Sequence, residues 1–219
     1  MPSFRQHRET LRRWERFPAL ESLDEGVALT FDDGPDPDCT PAVLDALAAA
    51  GARAVFFLVG EQVEAHPELA RRVSEEGHAV ALHGFRHVEH DELGPQARAD
   101  LERGAAAVAD ATGQEPRLYR PPYGRFSEGS YAAAGELGLT PVYWSAWGCD
   151  WEPIPAERIA ELTIRDLEPG AIVLLHDSPR YANRPSAAPT AEALPAILAA
   201  LHARGLETRT PHADNPQAP

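Results

Sequence analysis

Short continuous apolar runs, rich in Val, Leu, Phe and Ile, alternate along the chain with longer stretches whose apolar and alanine positions recur at helical spacing. The apolar runs fall at residues 27–31, 54–59, 78–82, 117–120, 141–145 and 171–175, with a weaker one at 206–210. Runs that are apolar throughout predict strands buried on both faces, the situation in a parallel sheet covered by helices. The predicted helices between them have defined ends: 40–50, with Thr40 as N-cap, Pro41 at the first helical position and Gly51 as the stop; 68–76, stopped by Gly77; 95–111, by Gly113; 127–137, by Gly138; 155–167, ahead of Pro169; and 191–203, by Gly205. Residues 186–189 and 211–219 read as a loop and a frayed end. Seven strands in βα succession predict an α/β fold with a parallel sheet, either open or closed into a barrel.

Composition narrows the chemistry. The chain of 219 residues is 43% apolar, enough for one full domain. All 20 of its basic residues are arginine. With no lysine, Schiff-base catalysis and the lysine grip on nucleotide phosphates are excluded. The net charge of −14 disfavours nucleic acid, anionic membrane surfaces and strongly anionic polymers as partners. Cys39 and Cys149 read as two free thiols. The arginine-rich opening has no apolar stretch of the secretory kind, and no window approaches a membrane span. The sequence as it stands therefore predicts a cytoplasmic protein; a secreted or envelope-associated one would imply a signal already removed.

Reactive residue types gather just after the predicted strands, where parallel α/β folds place their sites. The first strand runs into Thr30-Phe31-Asp32-Asp33-Gly34-Pro35, and adjacent carboxylates leaving a strand point to different partners, one toward a metal and one toward a water. The third runs into His83-Gly84-Phe85-Arg86-His87, and a spacing of four on a helical turn brings both imidazoles to one face. Together with a carboxylate from the first strand they make a two-histidine, one-aspartate set with room for water, the composition of a catalytic metal site. His90 continues that face and reads as outer support or surface; His66 and His78 read as structural. The fourth strand ends in Arg120-Pro121-Pro122-Tyr123-Gly124. Arg120 can orient Asp32 with its planar fork, and the prolines leave the Tyr123 amide as the next donor toward a ligand. Trp144, Trp147 and Trp151 cluster beside Asp150 and predict the wall of a sugar-binding groove. Leu174-Leu175-His176-Asp177 puts a histidine at another strand mouth as a proton donor, with Asp150 or Asp177 as its support.

These five segments, in this order, resemble the polysaccharide deacetylase family, the NodB-homology domains of carbohydrate esterase family 4. Residues 30–35 match the first motif, His83 and His87 the histidine pair, and residues 120–124 the third. Asp150-Trp151 matches the end of the fourth, and residues 174–177 the fifth. The resemblance implies a distorted (β/α) barrel of about seven parallel strands, with residues 26–210 as the catalytic domain between an N-terminal extension, 1–25, and a C-terminal tail, 211–219. It implies one divalent metal ion, commonly zinc, with cobalt, manganese or nickel as alternatives, held by Asp33, His83 and His87. It further implies Asp32 as general base oriented by Arg120, His176 as general acid supported by Asp150, the Tyr123 amide at the oxyanion, and Trp151 and Leu174 bordering the acetyl pocket.

The implied reaction is hydrolysis of an acetamide on an N-acetylated amino sugar, with an acetylated glycan or oligosaccharide as the partner. Alternatives on the same scaffold are an O-acetyl esterase, a hydrolase of non-sugar amides, and a non-catalytic glycan-binding relative. A cytoplasmic enzyme would suit small oligosaccharides or lipid-linked precursors better than extracellular polymers. Two positions depart from the family pattern: Gly84 stands where a Ser or Thr hydroxyl usually steadies the histidine loop, and Trp147 stands where the fourth motif usually has an aspartate.

Overall fold

A computed structural model describes residues 16–211. Seven parallel strands form one sheet: β1 (Ala28–Asp32), β2 (Val55–Leu58), β3 (Ala79–Leu82), β4 (Leu118–Tyr119), β5 (Thr140–Pro141), β6 (Ala146–Trp147) and β7 (Ile172–His176). Their order across the sheet is β5-β4-β3-β2-β1-β7-β6. The helices are α1 (Thr40–Ala49), α2 (Gly60–Ala65), α3 (Pro67–Glu75), α4 (His90–Leu93), α5 (Ala97–Thr112), α6 (Glu128–Glu136), α7 (Ala156–Asp166) and α8 (Ala188–Ala203). The central strands β1, β2 and β7 are buried almost throughout, as their unbroken apolar runs require.

The fifth predicted strand, 141–145, is divided. β5 and β6 are opposite edges of the sheet, yet only residues 142–145 separate them in the chain. The Val142 N–H donates to the Tyr119 carbonyl at 2.8 Å, next to β5, and the Ser145 N–H donates to the Ile172 carbonyl at 2.9 Å, next to β6. This short segment therefore crosses from one edge to the other and curls the sheet into a distorted barrel. Leu20 reinforces the seam, its N–H bonded to the Pro141 carbonyl and its carbonyl to the Tyr143 N–H, each at 2.9 Å. The weak strand at 206–210 reduces to a single bridge between Thr208 and Val27, just ahead of β1.

Helix boundaries follow the predicted caps within a few residues. Ser127 caps α6 in a reciprocal arrangement with Ser130, and Gly113 ends α5 in the left-handed conformation. Thr40 is the first residue of α1 rather than its cap, since its hydroxyl accepts the Asp36 N–H at 2.7 Å and donates to Asp177. α8 begins at Ala188, inside the predicted loop at 186–189. The short helices α2 and α4 carry too few turns to show a periodic signal. Among the described residues, no helix is long and apolar enough to cross a membrane.

Candidate active site

The register of β1 and β7 places Asp32 directly opposite His176, so the two strands deliver a carboxylate and an imidazole side by side at the carboxyl edge of the sheet. Asp33 follows at φ 81°, a left-handed conformation that turns its carboxylate away from that of Asp32. A cavity of about 420 Å³ opens there, walled by Asp32, Asp33, His83, His87, Leu174 and His176, with tryptophans and Tyr123 at its sides. A larger groove of about 730 Å³ between α1 and α8 lies toward the amino ends of the strands, away from these groups.

His83 and His87 lie in a loop with bends, not on the predicted helical turn. Gly84, at φ 82°, reverses the backbone between them, and their rings still converge with centroids 5.1 Å apart. The Nε2 atoms of His83 and His87 stand 3.5 and 3.2 Å from Oδ1 of Asp33, and the three ligand atoms lie within 4.8 Å of one another. Nδ1 of His83 is 2.7 Å from the Arg120 carbonyl. A carbonyl only accepts, so Nδ1 carries the hydrogen, which leaves Nε2 as the atom His83 can offer a metal ion beside Asp33. Oδ1 of Asp33 is buried with no hydrogen-bond partner of its own. A buried carboxylate oxygen facing two imidazole nitrogens is a donor set suited to a divalent cation. Burial alone would raise the Asp33 carboxyl, but the neighbouring imidazoles hold it well below the usual carboxylate range.

Arg120 is completely buried and ties Asp32 to the barrel seam. Nη1 donates to Oδ1 of Asp32 at 2.7 Å and to the Thr30 hydroxyl at 2.8 Å, while Nη2 reaches the Tyr143 carbonyl at 2.9 Å. On the other side, Nδ1 of His176 donates to Oδ1 of Asp150 at 2.8 Å. Oδ2 of Asp150 accepts from the His176 main chain and from the Thr190 hydroxyl, both at 2.8 Å. Burial pushes His176 down, but Asp150, with Asp33 and Asp32 behind it, outweighs that and raises it to about 9. Of the two aspartates, Asp150 is the one bonded to the His176 ring. Asp177 turns to the Thr40 hydroxyl at 2.5 Å, and burial pushes its carboxyl up to about 7.

The tryptophans only partly match the predicted groove. Trp144 and Trp147 are 8% and 6% exposed and belong mainly to the core, whereas Trp151 is half-buried beside the His176 ring. Tyr123, 53% exposed at φ 58°, is the exposed large aromatic side chain of the described residues, and it sits at the cavity mouth. His90 is fully buried rather than at the surface, with its Nδ1 2.8 Å from the Tyr119 hydroxyl, and burial lowers it to about 3. His78 accepts the Ala54 N–H at 3.3 Å, a structural role.

The family model described as Polysaccharide deacetylase matches residues 21–142. The chain belongs to the polysaccharide deacetylase family. A chitooligosaccharide deacetylase from Bradyrhizobium sp. (strain ANU 289) is 39% identical over 189 residues, which cover 83% of this chain and 86% of that protein. A family 4 carbohydrate esterase from Streptomyces lividans, solved with acetate, superposes with a TM-score of 0.80 at 32% identity, covering 90% of this chain and 97% of the other. A family 4 acetyl xylan esterase from Clostridium thermocellum, solved with cobalt, gives a TM-score of 0.76 at 33% identity over 84% and 87% of the two chains.

Several residues of this deacetylase's site carry no motif. Arg184 and Thr190 complete the Asp150 network: Arg184 donates to the Thr190 hydroxyl at 2.6 Å and to the His176 carbonyl at 3.0 Å, and lies 3.5 Å from Asp150. Tyr181 stacks flat on His87 with centroids 4.0 Å apart and accepts from the Gln62 amide at 3.2 Å. Nothing in the local pattern at 181–190 distinguishes these residues from an ordinary loop and helix start. Their alignment comes from the tertiary fold.

Proposed function

We propose that this deacetylase removes acetyl groups from N-acetylglucosamine units of glycans or oligosaccharides, using one divalent ion, zinc by preference, held by Asp33, His83 and His87. The observation that carries the reading is the pairing of Asp32 with His176 in the same cavity as the Asp-His-His cluster. A divalent cation held by Asp33, His83 and His87 would supply Lewis-acid polarisation of an acyl oxygen and a lowered pKa for bound water. Asp32, kept ionised and oriented by Arg120, accepts the proton of the attacking water. The Tyr123 amide donates to the oxygen that gains charge as water adds to the acyl carbon. His176, held protonated by Asp150, passes its proton to the departing nitrogen as the carbon–nitrogen bond breaks. Acetate and a free amine result. Leu174 and Trp151 border the acetyl methyl, and Tyr123 offers an exposed ring to the sugar.

The proposed catalytic domain is residues 26–210, between leading and trailing segments at 1–25 and 211–219; Leu20 and Leu23, although ahead of that boundary, pack into its core. Residues 1–15 and 212–219 lie outside the described structure. The acetyl xylan esterase relative gives a specific reason to test esters as well. The deciding experiment is mass spectrometry of N-acetylated chitooligosaccharides and O-acetylated xylooligosaccharides after incubation with zinc-loaded protein. Loss of acetyl groups from the chitooligosaccharides supports the reading; loss from xylooligosaccharides alone replaces amide with ester hydrolysis, and glycan binding without acetate release replaces both.

A further inference from the structure

Every backbone group of the loop that presents His83 and His87 must find a partner in a buried setting, and at residues 84–86 most of those partners come from two helices. The loop's carbonyls are served by the start of α2: the Gly60 N–H donates to the Gly84 carbonyl at 2.9 Å, and the Glu61 N–H to the Phe85 carbonyl at 3.0 Å. Two of its amides, those of Phe85 and Arg86, are served by one carboxylate. Oδ2 of Asp100 accepts the Phe85 N–H at 2.8 Å, with the Arg86 N–H at 3.4 Å, and Oδ1 accepts Nε of Arg86 at 3.0 Å. Asp100 is buried and lies on the inward stripe of α5 with Ala97, Leu101, Gly104 and Val108, an apolar face where an aspartate would otherwise be costly. The same helix presses the loop from behind. A Cβ on Gly104 would stand 3.0 Å from the Gly84 carbonyl carbon and the Phe85 nitrogen, and the Arg103 guanidinium covers the Phe85 ring at 3.7 Å.

We propose that Asp100 is the positioning residue of the metal-binding loop and takes over the steadying role that a hydroxyl at position 84 has in the family pattern. The space at Gly84 agrees with this: a Cβ there would lie 3.4 Å from Oδ2 of Asp100, so the carboxylate stands against the position where a side chain at 84 would begin. The inference rests on the reading of Asp33, His83 and His87 as metal ligands. Groups that orient metal ligands from behind commonly change metal affinity about 10–100-fold when altered.

The test is cobalt(II) titration of the metal-free protein, followed by visible absorption and by competition with a chromophoric chelator. Circular dichroism and urea melts are recorded alongside. Asp100→Asn keeps the shape but replaces one acceptor with a donor facing the Phe85 and Arg86 N–H groups. A folded Asp100→Asn protein is expected to bind cobalt at least about 10-fold more weakly than wild type, with an altered absorption band. Exposed Glu102→Ala on the same helix should bind as wild type does. If Asp100→Asn does not fold, Asp100→Glu carries the same readout, because it keeps the charge but displaces the acceptors. Wild-type affinity and spectrum in whichever of the two folds overturns the inference. Failure of wild type to bind cobalt in a His83-dependent manner overturns the metal-site reading, and this inference with it.

Discussion

Both oxygens of Asp150 are committed to His176: Oδ1 accepts the ring Nδ1–H and Oδ2 the main-chain N–H, each at 2.8 Å. One carboxylate therefore fixes the tautomer, the ring plane and the strand end that carries it. Burial pushes the His176 pKa down from its ordinary 6.5, and Asp150 leads the carboxylates that reverse this and raise it to about 9. A pKa raised on folding contributes stability that is full below about 6.5 and is lost as the pH rises through about 9. In Asp150→Asn, burial is opposed only by the more distant carboxylates, so the ring titrates at a lower pH, the alkaline limb of kcat moves down with it, and kcat falls about 100-fold. NMR titration of the ring in metal-free wild type and variant checks the shift, and an unmoved ring pKa contradicts the assignment.

Asp32 and Asp33 are neighbours with separable tasks. Asp32→Asn should retain metal and lose turnover about 10²–10⁴-fold, whereas His83→Ala should lose the metal itself. Elemental analysis of the purified variants beside acetate-release assays separates the two effects. Full activity in Asp32→Asn would remove it as the base.

Metal removal is the complementary experiment. Prolonged dialysis against a chelator should abolish acetate release, and stoichiometric zinc or cobalt should restore it. Activity that survives chelation in protein shown to be metal-free would exclude the proposed ion.

Arg120 joins a buried carboxylate to the segment that closes the barrel, so its loss strands several polar groups at once. Arg120→Met should cost about 3–5 kcal/mol in urea unfolding, the range for breaking one side of a buried ion pair. A cost below about 1 kcal/mol would show that the seam closes without it.

Tyr181 covers one face of His87 and borders the cavity. Tyr181→Ala removes a stacked pair of the kind worth about 0.5–1.5 kcal/mol and widens the pocket, which predicts a KM raised up to about 10-fold for chitooligosaccharides with a smaller change in kcat. Tyr181→Phe keeps the stack and should stay near wild type. Equal kinetics for Ala and Phe would place Tyr181 outside substrate recognition.

Much of the architecture could be read from the chain because strands buried on both faces leave unbroken apolar runs, and helices between them end at glycine or proline. Residues 142–145 mislead for the same reason: a segment crossing a barrel seam is as buried as a strand and looks like one. The histidine pair has a helical spacing in a loop that is not helical; a left-handed Gly84 produces the same convergence by reversing the chain. The motif-borne groups at strand ends were visible because their residue types are uncommon there. Asp100, Arg184 and Thr190 were not, since each works from a helix or loop remote in sequence. An aspartate on the apolar stripe of α5 was the one local sign, a polar residue where the period calls for an apolar one.

Among the described residues, the non-glycine residues with left-handed backbones are Asp33 and Tyr123, which line the cavity, and Cys149, buried two residues past β6. Such conformations cost of order 1–3 kcal/mol apiece, and the folded core has to sustain them. A variant library of this chain selected only for heat tolerance would tend to collect glycine or asparagine at these positions and so accumulate sturdy proteins with a relaxed, idle site. Selection for thermostability in this scaffold therefore needs an activity screen at every round.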